Sequence, residues 1–221
     1  MTRLAGLLFD LDGVIADSRH AITRSINHAL AAHGLPVRPE TELVGYIGPP
    51  LLHAFQHLLA RLGADPTLAE PCVAAYRERY ETACLVETLP YPGVARVVER
   101  LAERMPLAVA TSKPVSFAEP ILVELGLRGS FRAVVGPTLD PRSEPKARTV
   151  ARALAELGCP GPVGIVGDRE HDVAAGRANA IVTIGVTWGF GSRRELVESG
   201  ADHVVDHPDE LLAFAARRPT R

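Results

Sequence analysis

Asp10 and Asp12 stand one residue apart at the end of the apolar run from Leu4 to Phe9, and Gly13 follows them. Two carboxylates this close repel, and neither can be buried unpaired without a large penalty. A hard cation with oxygen ligands, such as Mg²⁺, relieves both problems. The pair therefore reads as a metal-dependent reaction centre, with a polar turn after a strand as the plainer reading of the same residues. Further along, Thr111-Ser112 carries hydroxyls and backbone N–H groups that suit phosphate oxygens. A lysine nearby adds a point charge that neutralises a phosphoryl group. Asp168 and Asp172 are four residues apart and fall on one side of a first helical turn. One of them would meet a metal and the other would hold its water or an adjacent backbone group.

The chain holds 24 lysines and arginines, of which two, Lys113 and Lys146, are lysine. Both stand beside the residues just named. Lys146 opens a helix after Pro145, where a cation is unfavourable with the helix dipole. Lys113 follows the hydroxyl pair rather than forming it, with the phosphate or an overlying element as its candidate partner. Arg169, next to Asp168, is open between the same two partners.

These residues need elements to position them. A run of 221 residues with 47% hydrophobic content accommodates one large domain, or a core with a small insert. The apolar run before Asp10 reads as a buried strand. Asp17-Ser18 is a helix N-cap signal, and Ile22, Ile26, Ala29 and Leu30 follow at helical spacing. Tyr46-Ile47-Gly48-Pro49-Pro50 is a loop with a helix start at the prolines. Leu51 to Leu62 and about Leu68 to Cys84 are two more amphipathic helices, so Asp17 to Val86 reads as all helix, without a strand. From Pro92 helices and apolar strands alternate. Helices are expected at Val94–Arg104, Val115–Leu125, Lys146–Leu157 and Asp172–Ala180. Strands are expected at Leu107–Ala110, Ala133–Val135, Val163–Val166, Val182–Val186 and His203–Val205, with a last helix from Pro208 and a frayed arginine-rich tail from Arg217. Alternation of this kind means an α/β fold with a parallel sheet covered on both faces. Ligands bind such sheets outside the carboxyl ends of the strands, where strand order reverses. Asp10, Thr111 and Asp168 all follow strand ends.

A net charge of −2 argues against a nucleic-acid footprint. No stretch is apolar enough to span a membrane, and the N-terminus lacks a signal-peptide hydrophobic region. Cys72, Cys84 and Cys159 have no metal-type spacing and read as reduced thiols of a cytoplasmic protein. His20, His28, His33, His53 and His57 read as surface residues, His171 as shaping its loop, and Cys84 and Trp188 as packing residues. Oligomeric state leaves no mark in the sequence.

Asp10-x-Asp12-Gly13-Val14, Thr111-Ser112, Lys146 and Gly167-Asp168-x-x-x-Asp172 resemble, in order and spacing, the four motifs of the haloacid dehalogenase-like hydrolase superfamily. The resemblance extends over nearly the whole chain. It implies a doubly wound, Rossmann-like core of residues 1–15 and 88–221, with a small all-helical cap of residues 16–87 inserted after the first strand. Tyr46 to Pro50, Thr111 to Pro114 and Gly167 to Asp172 are similar to the phosphoglycolate phosphatase-like branch, and within it to a 5′-nucleotidase-like subgroup. The resemblance implies a Mg²⁺-dependent phosphatase acting on a small phosphate monoester. Asp10 would be the nucleophile and metal ligand, and Asp12 the acid and base, with its backbone carbonyl on the metal. Asp168 would be a further metal ligand and Asp172 its support. Thr111 and Lys146 would hold the phosphoryl group, the Lys146 ammonium pointing in between Asp10 and Asp168, with Ser112, Lys113 and Arg169 at the substrate. Among relatives of this kind, a dehalogenase has no use for Asp12 as an acid. A phosphonate hydrolase would need a cap lysine, and none lies between Met1 and Pro92. A sugar-phosphate mutase and a catalytically idle interaction protein are the remaining alternatives.

Overall fold

The computed structural model describes residues 3–139 and 144–215; the tail from Arg217 lies outside them. Six parallel strands form the main sheet in the order β5-β4-β1-β6-β7-β8. They are β1 (Gly6–Phe9), β4 (Leu107–Ala110), β5 (Ala133–Val135), β6 (Val163–Gly167), β7 (Val182–Val186) and β8 (His203–Val205). Every residue of β1, β4 and β6 is buried. Strands covered on both faces are apolar throughout rather than alternating, as their sequences are. From β1 the chain builds outward through β4 and β5, then returns to the other side of β1 and adds β6, β7 and β8. Strand order therefore reverses at β1, and the crevice opens above its carboxyl end. Phe9 is level with Val109 on one neighbour and Val166 on the other. That register brings the residues after these three strands to one height.

Helices α5 (Val94–Ala102), α6 (Val115–Glu124), α7 (Lys146–Leu157), α8 (Glu170–Ala178) and α9 (Arg193–Glu198) cover the sheet. Between β1 and β4 lie α1 (Arg19–Ala32), α2 (Glu40–Leu43), α3 (Leu51–Leu62) and α4 (Ala69–Val86). The long pair α1 and α4 buries Ile22, Ile26 and Leu30 against Val73, Tyr76 and Tyr80. Each such side chain withdrawn from water contributes roughly 1.5–3 kcal/mol, which offsets the ordering of a segment that has no sheet of its own. No helix among the described residues is long and apolar enough to cross a membrane.

The observed strands follow the expected ones within two residues, and the differences have local causes. Asp17 is not helical. It pairs with Leu89 in a two-residue antiparallel ribbon, β2 (Ala16–Asp17) with β3 (Leu89–Pro90), at the two ends of the helical segment. A ribbon that short has no periodicity to read. Ser18 does precede α1, but its side chain makes no capping bond. The segment after Pro208 is a 3₁₀ helix, Pro208–Phe214, rather than an α-helix. Helices α3, α6 and α7 each start directly after a proline, at Pro50, Pro114 and Pro145. Proline has no N–H to leave unpaired there, so a sharp entry to the helix is tolerated.

Candidate active site

Asp10 leaves β1 with one carboxylate oxygen accepting the Leu11 N–H at 2.8 Å. Its other oxygen lies 2.5 Å from the Lys146 ammonium, which also lies 2.5 Å from Asp172. Lys146 reaches in from the first residue of α7. Burial works to lower its pKa, but Asp10 and Asp172 override that and hold it well above the ordinary lysine value. The helix dipole that disfavours a cation at this position is thus outweighed by two carboxylates. Sequence reasoning placed the ammonium between Asp10 and Asp168. The structure places it between Asp10 and Asp172, because Asp172 is on the inward turn of α8.

Asp12 points the other way. One of its oxygens accepts the Ser18 hydroxyl at 2.7 Å, and the other lies 2.9 Å from the Lys113 ammonium. Lys113 is 8% exposed and also donates to the Tyr80 hydroxyl on α4. Each of the two aspartates therefore has its own lysine, and these are the two lysines of the chain. Gly13 is required here. Its φ is +86°, and a Cβ would fall 2.1 Å from an Asp168 carboxylate oxygen. Any side chain would be strained and would also strike that carboxylate.

Asp168 follows β6, buried, with one oxygen accepting the Phe190 N–H at 2.6 Å. Asp172 accepts the Arg169 N–H at 3.1 Å and so closes the first turn of α8 as well as pairing with Lys146. Arg169 gives its guanidinium to Glu195 at 2.8 Å and to the Ile47 carbonyl at 3.1 Å. Of its two open partners, it takes the loop between α2 and α3. Thr111 is buried at the end of β4, its hydroxyl accepting the Lys113 N–H at 3.1 Å. Ser112 lines the cavity above these residues, and Ile22, Leu52, Val73, Tyr76 and Phe117 form its apolar walls.

Sequence reasoning missed Ser18, Tyr80 and the loop Trp188-Gly189-Phe190-Gly191. Trp188 packs, as expected, but also donates from its indole to the Val14 carbonyl at 3.1 Å. A Cβ on Gly189 would lie 2.4 Å from an Asp168 oxygen, and one on Gly191 would lie 1.9 Å from the Asp168 carbonyl. Two glycines flanking one residue just after a strand are a legible sign of close backbone approach.

Asp10, Asp168 and Asp172 bring carboxylate oxygens within 4.8 Å of one another. Three carboxyl groups share one ammonium, so two negative charges are unbalanced once all three are ionised. The oxygen-only donor set and the uncompensated charge both fit a divalent hard cation. Burial, then Asp172 and Asp10, push the Asp168 carboxyl up to about 8 from 3.8. Between about pH 4 and 8 the folded protein keeps a proton that the unfolded chain has released, so metal-free stability falls as pH rises through that window. A cation that binds ionised Asp168 competes with that proton. The Tm increase on adding Mg²⁺ is therefore expected to be larger at pH 8 than at pH 6, and to lose its pH dependence in Asp168→Asn. Differential scanning fluorimetry at the two pH values checks this; equal Mg²⁺ shifts in the native protein would contradict it.

The family model described as haloacid dehalogenase-like hydrolase matches residues 7–186. A 5′-nucleotidase of Pseudomonas aeruginosa is 37% identical over 196 residues, 88% of this chain and 87% of that protein. The tyrosine-protein kinase PtkA of Mycobacterium tuberculosis is 35% identical over 93% of this chain and 70% of that protein. A phosphoglycolate phosphatase of Haemophilus influenzae is 32% identical over 93% of this chain and 96% of that protein. Among solved structures, that of a predicted phosphatase from Clostridium acetobutylicum superposes with a TM-score of 0.85 at 33% identity, over 95% of this chain and 97% of that one. With the family model matching from β1 to the end of β7, over strands that carry the aspartates and lysines described above, this chain belongs to the haloacid dehalogenase-like hydrolases.

Proposed function

We propose that this protein is a Mg²⁺-dependent phosphatase that hydrolyses a small phosphate monoester through an aspartyl-phosphate on Asp10. In this reading residues 1–15 and 88–221 form the catalytic core and residues 16–87 a helical cap over it. The observation that carries the reading is the division of labour between two adjacent aspartates. Asp10 faces Lys146 and the acidic group, whereas Asp12 faces Ser18 and Lys113. Two carboxyls on one strand end thus have separate surroundings and can take separate roles.

An Asp10 oxygen attacks phosphorus as the bond to the leaving oxygen breaks, and Asp12 gives that oxygen its proton. Water then attacks the aspartyl-phosphate, Asp12 takes a proton from it, and phosphate departs with the Asp10 carboxylate restored. Thr111, Ser112 and Lys146 hold the phosphoryl oxygens, since positioning and charge carry most of this chemistry. Asp10, Asp168 and the Asp12 backbone carbonyl would hold Mg²⁺, which would supply positive charge to offset that of the transferring group. Asp172 supports Lys146, and Arg169 holds the 46–50 loop over the cavity. The three cysteines are unpaired, in keeping with a cytoplasmic enzyme.

The cavity walls favour a nucleoside over glycolate as the leaving group. Ile22, Leu52, Val73, Tyr76 and Phe117 present apolar and aromatic surface, while Lys113, Lys146 and Arg169 already face carboxylates and Arg77, also in the lining, donates to the Leu139 carbonyl. The 5′-nucleotidase and phosphoglycolate phosphatase names of the relatives are both compatible with phosphoester hydrolysis. A phosphate-release screen with Mg²⁺ tests the reading on 5′-nucleotides, phosphoglycolate and sugar phosphates. Release is expected to stop with EDTA. kcat/KM is expected to be at least about tenfold higher for a 5′-nucleotide than for phosphoglycolate, a difference of ~1.4 kcal/mol. The reverse preference would remove the leaving-group assignment. Transfer to a second sugar hydroxyl without phosphate release would indicate a mutase, and no turnover of any of these substrates would remove the whole reading.

A further inference from the structure

The ring of Tyr80 is locked on three sides. It stacks on Tyr76 with centroids 5.0 Å apart, takes the edge of Phe117 at 5.3 Å, and lies 4.7 Å from the Lys113 nitrogen. Tyr80 belongs to α4, whereas Lys113 follows β4. The Tyr80 hydroxyl accepts a hydrogen bond from Lys113, whose ammonium lies 2.9 Å from Asp12. Burial keeps that hydroxyl protonated, well above its ordinary range. A chain of contacts thus runs from the interior of the helical segment to one oxygen of Asp12, while Ser18 holds the other. An ion pair with an ammonium is made by the carboxylate form of Asp12, the form that takes a proton from water.

We infer that Tyr80 is a positioning residue for the hydrolytic half of the reaction, holding through Lys113 the Asp12 carboxylate that accepts the proton of the attacking water. The inference rests on the aspartyl-phosphate reading. In that step the water oxygen bonds to phosphorus, the Asp10–phosphorus bond breaks, and one water proton passes to Asp12. The same proton goes to the leaving alcohol in the next turnover. Without the tyrosine hydroxyl, the lysine's long chain is free to adopt other rotamers, and Asp12 loses the partner that fixes one of its oxygens. Formation of the aspartyl-phosphate from an activated ester needs no proton and is left alone.

The experiment is Tyr80→Phe, which keeps the ring, assayed with p-nitrophenyl phosphate at saturating Mg²⁺. Here kcat is expected to fall about tenfold, below the ~10²–10⁴-fold contributed by a general acid or base itself. KM should fall in parallel, so that kcat/KM stays within about twofold. Stopped-flow should show a burst of p-nitrophenolate approaching one per enzyme as aspartyl-phosphate accumulates. A fall in kcat/KM equal to that in kcat, with no burst, would overturn the inference, and so would unchanged kcat. A second comparison covers a change in folding: on a Lys113→Met background, Tyr80→Phe should cost nothing further, and additive losses would also overturn it. If the native protein fails to turn over p-nitrophenyl phosphate or any screened ester, the phosphatase reading fails and the inference with it. If the native protein is active and the variants miss the pattern, only the inference fails.

Discussion

Asp10→Asn is expected to leave the fold intact and to reduce turnover to below about a thousandth of the native rate. An amide is a poor nucleophile and a poor ligand for a hard cation, and single catalytic groups are commonly worth ~10²–10⁴-fold. The structure adds a second expectation. Asp10 is one of the charges that push Asp168 up, so its neutral isostere relieves part of the repulsion among the acidic group. Lys146 loses Asp10 but keeps Asp172, so the metal-free variant should melt close to the native protein, while the Tm increase on adding Mg²⁺ shrinks. Steady-state phosphate release together with melting curves checks both. Turnover above a thousandth would remove Asp10 as nucleophile. A loss of activity accompanied by a large fall in Tm would mean that the aspartate serves the fold.

Lys146→Ala should lower turnover by about 10²–10³-fold, the scale of removing one preorganised charge from a transition state. It also leaves Asp10 and Asp172 facing each other without their shared cation. Removing one partner of a buried ion pair commonly costs ~3–5 kcal/mol, so the variant should melt lower, and added Mg²⁺ should restore part of the loss. Lys146→Arg is the sharper test. The ammonium is 2.5 Å from both carboxylates on a side chain that is 9% exposed. A planar fork spreads its donors over a wider front than that gap offers, so arginine should recover little activity. Normal turnover by Lys146→Arg would show that the lysine is incidental in a chain that otherwise uses arginine. Kinetics of the two variants beside the native protein at saturating Mg²⁺ decide it.

What the amino-acid sequence determines by itself is the layout of the core. Runs such as Leu107–Ala110 and Val163–Gly167 are short, apolar and without alternation, the pattern of strands covered on both faces, and the amphipathic stretches between them supply the cover. Motif residues at the ends of such runs then had to gather at the carboxyl edge, because parallel strands share one direction. The tertiary structure decided the partners. Lys113 and Asp12 are far apart along the chain, and no local pattern says that an ammonium after β4 turns to Asp12 instead of a phosphate. The same holds for Lys146, which chose Asp172 over Asp168 because α8 turns Asp172 inward while the Phe190 N–H holds Asp168. Ser18 has the residue type and position of a helix cap, yet its hydroxyl serves Asp12, since a carboxylate competes for a donor more strongly than a helix end. Tyr80 falls inside the helix expected from about Leu68 to Cys84, and nothing in that pattern singles it out. Its hydroxyl meets Lys113 only because α4 packs against α6, which starts just after that lysine. Hydrophobic periodicity is a property of neighbours in sequence and survives into the fold. The pairing of charges is a property of neighbours in space, set by the register of strands and the turn of each helix.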